Sequence, residues 1–203
     1  MPSETFLRLP EEKRTRFLNA AWEEFTAVRF ADASINQIIK RAGIPRGSFY
    51  QYFLDKDDLL LYLLEEVRSY VKEEYRQVLR ANGGDIFQAQ LDCFDRFISK
   101  APALDPTLAR CVKFVRNNQG LDLQKLLPTH PGQRLLDGIW DLTDLSGLRD
   151  PSPEYARNVY CLLMTALGRT FMDTMLRPED WRTYREDLVT QLEIIKHGSL
   201  QDP

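Results

Sequence analysis

Residues 34–52 read SINQIIKRAGIPRGSFYQY, and the fold turns on how this stretch is punctuated. Ser34 and Gln37 have the S-x-x-Q spacing of a capping box, which satisfies bare N–H groups at the start of a helix. Ile35, Ile38, Ile39 and Ala42 then recur at helical spacing and form one buried stripe. Gly43 tolerates a positive φ and stops the helix, and after Ile44 comes Pro45, preorganised to start another. The second helix covers Pro45–Tyr52, with Phe49 and Phe53 on its inner side. Two short helices, Ser34–Ala42 and Pro45–Tyr52, joined by a tight glycine turn match a DNA-binding helix-turn-helix.

With both phenylalanines inward, the second helix presents Arg46, Gly47, Ser48, Tyr50 and Gln51, followed by Tyr52. An arginine can fork to guanine O6 and N7, a glutamine can pair with adenine, and a glycine lets the backbone come close. Ser48, Tyr50 and Tyr52 carry hydroxyls of the kind that bind phosphate. Lys56 adds a cation beside the N–H groups that open the next helix. A solvated polar face has the same composition, so these residues alone leave both readings open.

Outward from this stretch the chain reads as helix almost throughout, with few alternating patterns and no Asn-Gly hairpin turns. A helix over Glu11–Thr26 follows Pro10 and turns Phe17, Leu18, Ala21 and Phe25 inward. After a break at Leu54-Asp55, a long helix runs from Lys56 to about Arg80. Its apolar side is Leu59, Leu60, Leu63, Leu64, Val67 and Val71, and Asn82-Gly83-Gly84 ends it. Further helices are expected over 85–100, 105–118, 121–127, 133–145, 153–176 and 178–196. Ser152-Pro153 is a good cap followed by a good first position. Residues 1–55 are assigned to the helix-turn-helix domain and 56–203 to a second helical domain, with the long helix shared in place of a linker.

The formal net charge is −3, and acidic and basic residues balance one for one through residue 60. Binding to nucleic acid by bulk attraction is thereby excluded, and any DNA contact must come from placed residues. Cys93, Cys111 and Cys161 are odd in number and widely spaced, which fits buried free thiols in a reducing compartment. The first residues lack the apolar core of a secretory signal, and no run is long enough to span a membrane. A cytoplasmic protein without membrane partners is expected.

An enzyme would need a catalytic constellation. His130 lies between Pro128 and Pro131, and His197 lies near a helix C-terminus, where a cation suits the dipole. Neither has a cysteine or carboxylate at ligand or triad spacing, and no Gly-rich phosphate loop is present. Asp92, Asp95, Asp122 and Asp173 read more simply as solvated helix faces or ligand contacts. No catalytic residue, metal or cofactor is expected. A helical dimerisation scaffold is the alternative, with a helical-bundle enzyme behind it.

The segment Phe17–Leu64 closely resembles the TetR family of transcriptional regulators. The likeness rests on A-A-x-x-x-F at Ala20–Phe25, S-I at Ser34-Ile35 and I-x-K-x-A-G-I at Ile38–Ile44. It continues in G-S-F-Y-x-Y-F at Gly47–Phe53 and K-D-D-L at Lys56–Leu59. The resemblance covers about a quarter of the chain. It implies an all-α fold whose second short helix enters the major groove. Arg46 and Gln51 become candidates for base contacts, and Ser48, Tyr50, Tyr52 and Lys56 for backbone contacts, with Ser34 and Lys40 as weaker ones. Arg29 stands where the family usually has a glycine, so it takes a positive φ or the turn is rebuilt. Pro45 stands where a capping hydroxyl is usual.

The resemblance further implies a homodimer on a near-palindromic double-stranded operator, acting as a repressor that a small-molecule effector releases. Trp181, Tyr184, Leu188, Leu192 and Ile195 have seam spacing, and Val159, Leu163, Leu167 and Phe171 line the preceding helix. Ordinary core burial produces the same stripes, and the family implies a two-fold four-helix bundle from these two helices. An apolar effector pocket under the long helix is implied too, with Phe94, Phe97, Cys111, Phe114, Trp140, Tyr160 and Met164 as candidate lining. An effector that favours one tilt of the long helix would change the separation of the two recognition heads.

Overall fold

The computed structural model describes residues 2–100, 105–121 and 138–201. Its helices are α1 (Glu4–Leu7), α2 (Glu11–Ala27), α3 (Ile35–Ala42), α4 (Arg46–Tyr52), α5 (Lys56–Ala81), α6 (Ile86–Lys100), α7 (Pro106–Asn117), α8 (Pro153–Leu176) and α9 (Trp181–Ser199). Among the described residues the only bridge is an isolated antiparallel pair, Leu148 with Leu200, so the fold is all-α. No described helix is long and apolar enough to cross a membrane.

Several ends follow their local chemistry. Gly43 closes α3 at φ +66°, a left-handed conformation that costs a side-chain-bearing residue. Asp105 and Ser152 each cap a helix that has proline in its first turn, accepting from Thr107 N–H and Tyr155 N–H. Gly84 ends the turn after α5 because nothing larger fits. A Cβ there would lie 2.6 Å from the Leu142 carbonyl oxygen, and Asp144 N–H donates to Gly84 O across 2.9 Å.

Other elements differ from the sequence reading. The Ser34/Gln37 capping box does not form, and Gln37 N–H donates to the backbone oxygen of Ser34. Glu24 of α2 supplies the missing acceptor, taking Ser34 N–H at 2.9 Å. Arg29 is extended at φ −63°, so the turn is rebuilt as a 3-10 turn over Phe30–Asp32. The helix expected over 133–145 is, in its described part, a 3-10 turn over Trp140–Leu142 after Gly138 at φ +82°. The last helix begins later than expected, a 3-10 turn over Pro178–Asp180 preceding α9. Helix α1 was not anticipated, since four residues carry no periodicity. Of the helix expected over 121–127 only Leu121 is described, without regular structure. His130, Asp122 and the breaks at Pro102 and 128–132 lie outside the described residues.

The chain divides into two compact units, which differ from the division at 55/56. The described residues of Met1–Ser69 and Asp105–Pro128 form one, and those of Tyr70–Leu104 and Thr129–Pro203 the other. Helix α7 joins the first unit through packing on α2. Phe114 is fully buried, its ring edge-on to Phe30 at 6.2 Å. Asn118 Oδ1 accepts from Phe30 N–H at 2.7 Å, and Asn117 Nδ2 donates to Thr26 O at 2.7 Å. In the second unit, α6, α8 and α9 pack around Phe94, Tyr160, Leu163 and Leu188, all fully buried or nearly so. Arg185 of α9 forks onto Asp95 of α6 through bonds of 2.6 and 2.7 Å.

Candidate nucleic-acid interface

Helix α2 is the platform for the α3–α4 pair. It offers Phe17, Ala20, Ala21, Trp22 and Phe25 as an apolar face, all nearly or completely buried. Ile38 and Ala42 of α3 and Phe49 of α4 close that core. Phe17 and Phe53 stack at 5.9 Å, and Phe49 lies tilted 6.1 Å from Phe17. The Glu24 carboxylate, only 4% exposed, holds Arg41 at 2.5 Å as well as Ser34 N–H. A buried carboxylate is tolerable only with such partners, and this one ties α3 to α2 at both of its ends.

The outer side of α4 is open. Arg46, Gly47, Tyr50 and Gln51 are exposed and Ser48 is half-buried. Gly47 is notable because a Cβ placed on it would meet nothing within 4 Å. Packing among the described residues therefore does not require glycine there. Lys40 is exposed and Ser34 half-buried on the neighbouring helix.

Two candidates lie differently from the expectation. Tyr52 is half-buried, its ring 5.7 Å from Phe6 and 5.9 Å from Phe17. Lys56 turns its ammonium onto the rebuilt turn, donating to the carbonyls of Phe30 at 2.8 Å, Ala31 at 2.9 Å and Ala33 at 3.4 Å. It also lies over the Phe30 ring, 5.0 Å from the centroid. Helix-ending carbonyls carry partial negative charge, so this cation is a structural staple within the head. Sequence spacing could not reveal this, because the acceptors arise only once the turn at 30–32 exists.

The other candidates are distributed between core and surface. Val159, Leu163, Leu167, Leu188 and Leu192 are at most 4% exposed in the single chain, so their side chains fill its own core. Phe171, Trp181, Tyr184 and Ile195 keep partial exposure. Large apolar residues that do face outward on α8 and α9 are Leu162 and Ile194, 57% and 68% exposed. Of the seven effector candidates, Cys111 and Phe114 belong to the first unit and the other five to the second. Phe94 and Tyr160 are core residues; Trp140 and Met164 pack partly buried against that core, and Phe97 meets Phe171 at 5.0 Å. Burial pushes the thiols of Cys93 and Cys111 up to about 12 and about 11, so both stay protonated and inert.

A short helix pair braced on a third helix, its second member bare on one side, defines the class: a helix-turn-helix head joined to further helical structure. Residues 17–63 match the sequence profile of the bacterial regulatory proteins of the tetR family. An uncharacterised HTH-type transcriptional regulator of Bacillus subtilis (strain 168), YdgC, is 38% identical over 72 residues, 36% of this chain. The match spans only 37% of that relative's length. Among solved structures, native NalD of Pseudomonas aeruginosa, the secondary repressor of the MexAB-OprM multidrug efflux pump, is 22% identical. The likeness covers 96% of this chain and 100% of that one, with a TM-score of 0.60. SmeT, repressor of the Stenotrophomonas maltophilia efflux pump SmeDEF, is 18% identical over 97% and 93% of the two chains, with a TM-score of 0.58. At these identities the likeness to both structures is one of fold. The likeness to the tetR family of bacterial regulatory proteins is thus carried by the head, residues 17–63.

Proposed function

We propose that the protein is a sequence-specific DNA-binding transcriptional regulator that inserts α4 into the major groove. One observation carries this reading. The side of α4 that the fold leaves bare holds Arg46, Tyr50 and Gln51 around a glycine that packing among the described residues does not require. Arg46 and Gln51 read base edges; Tyr50 and Ser48 bind phosphate, and Gly47 admits the DNA backbone. Lys40, Ser34 and Tyr52 flank this surface, and Lys56 supports it indirectly by holding the turn before α3. In functional terms the DNA-binding part is 1–55.

The remainder, 56–203, serves dimerisation and sensing. A homodimer forms through the outward faces of α8 and α9 around Leu162 and Ile194, with the partly exposed Phe171, Trp181, Tyr184 and Ile195 at its margins. Such a dimer takes a near-palindromic operator. A small, largely apolar effector binds the second unit and releases the DNA, as a repressor requires. Support comes from the fold shared with SmeT, which is known in complex with triclosan. Support also comes from Gln90 Oε1, a buried acceptor without a hydrogen-bond partner among the described residues, of the kind an effector's polar group satisfies. The protein acts in the cytoplasm and is not an enzyme. Footprinting on DNA upstream of its own gene tests the reading. Protection of a two-fold site is the expected result; a scaffold protects nothing, and an enzyme shows turnover without DNA affinity.

A further inference from the structure

Helix α4 has only seven residues, and a helix so short does not hold itself together in water. Its N-cap is Pro45, which offers no side-chain cap. At the other end its last carbonyls lack partners within the helix. Two of them are taken by one residue near the start of the chain. Ser3 Oγ donates to Gln51 O at 2.5 Å, and Ser3 N–H donates to Tyr52 O at 3.0 Å. The same Ser3 Oγ accepts from Phe6 N–H at 3.2 Å, which makes it the N-cap of α1. A single hydroxyl thus joins the start of α1 to the end of α4. Phe6, 0% exposed, anchors the joint among the rings of Phe17, Tyr52, Phe53 and Tyr62 at 4.8 to 5.7 Å.

We propose that Ser3, with α1 behind it, is a positioning clasp for the recognition helix and sets operator specificity through α4 without touching DNA. The proposal rests on the DNA-binding reading above. Losing the Ser3 hydroxyl frays the last turn of α4, where Tyr50 and Gln51 sit. Base contacts need that turn in register, whereas sequence-independent attraction to phosphates does not.

The test uses the full chain and an operator selected by the wild-type protein from random duplex DNA. Ser3→Ala is expected to lower operator affinity about fivefold, the worth of one hydrogen bond, while affinity for a scrambled duplex changes by less than about twofold. Amide exchange at the end of α4 should accelerate in Ser3→Ala without DNA present. Ser3→Thr, which keeps the hydroxyl, should restore both. Unchanged exchange in Ser3→Ala overturns the clasp alone, as does an equal loss of affinity for both duplexes. A wild-type protein that selects no sequence overturns the DNA-binding reading itself.

Discussion

Two glycines four residues apart along the helix pair answer opposite demands. Gly43 is needed by the chain, because its φ of +66° is a conformation that L side chains rarely adopt. Gly43→Ala should destabilise the head by about 1–2 kcal/mol, read as a lower midpoint in denaturant. Gly47 lies inside α4 with open space around it, and a helix-interior glycine costs about 0.5–1 kcal/mol relative to alanine. Gly47→Ala should therefore raise the melting temperature while weakening operator binding, a combination that a purely structural glycine does not give. Lys56 is a third case. Its ammonium serves three carbonyls of the turn at 30–33, so Lys56→Ala should cost about 1–3 kcal/mol of stability in the absence of DNA. An unchanged denaturation midpoint would return Lys56 to the role of a simple phosphate contact.

At the scale of elements, α5 contains a titrating group in the first unit. The Glu66 carboxyl is raised above its ordinary value, chiefly because burial disfavours its charge. The hydrogen bond from Tyr62 and the cations Arg14 and Arg110 act the other way without cancelling it. The folded chain thus holds this proton more tightly than the unfolded one, and stability falls as pH rises from the ordinary carboxylate value through the raised one. Glu66→Gln should remove that decline, so its gain over wild type appears on going from acid to neutral pH in paired denaturation curves. The elements most legible in the sequence were those with local signals at both ends. Helix α8 runs from the Ser152 cap to Leu176 as read, because cap and first-turn proline act within four residues. The α3–α4 turn was legible for the same reason, through Gly43 and Pro45. Signals that depend on distant partners were not. Glu24, ten residues upstream, occupies the role that S-x-x-Q spacing assigned to Gln37, and α1 exists because Phe6 is buried by rings far along the chain. Seam spacing on α9 also could not distinguish an internal core from an interface, since both ask for apolar residues every three or four positions.

At the scale of the whole molecule, that ambiguity becomes a test. Leu163 is 0% exposed, and Leu163→Ala should cost about 2–5 kcal/mol by leaving a cavity in the single chain. Leu162→Glu with Ile194→Arg changes only outward side chains, so sedimentation should show monomers whose helical circular dichroism is intact. Persistence of the dimer in that double variant would move the interface elsewhere. Loss of the proposed dimer should also weaken operator binding, because a two-fold assembly would hold two half-sites about 34–36 Å apart. On the DNA-binding reading, α4 reads base sequence. The measurement closest to it is the affinity of Arg46→Ala and wild type, at one fixed salt concentration, for the operator, its single-base variants and a scrambled duplex. Arg46→Ala should lose about 1–3 kcal/mol on the operator, with preference erased at one base pair per half-site and scrambled-duplex binding little changed. An equal loss on every duplex, with base preference intact, would contradict that reading.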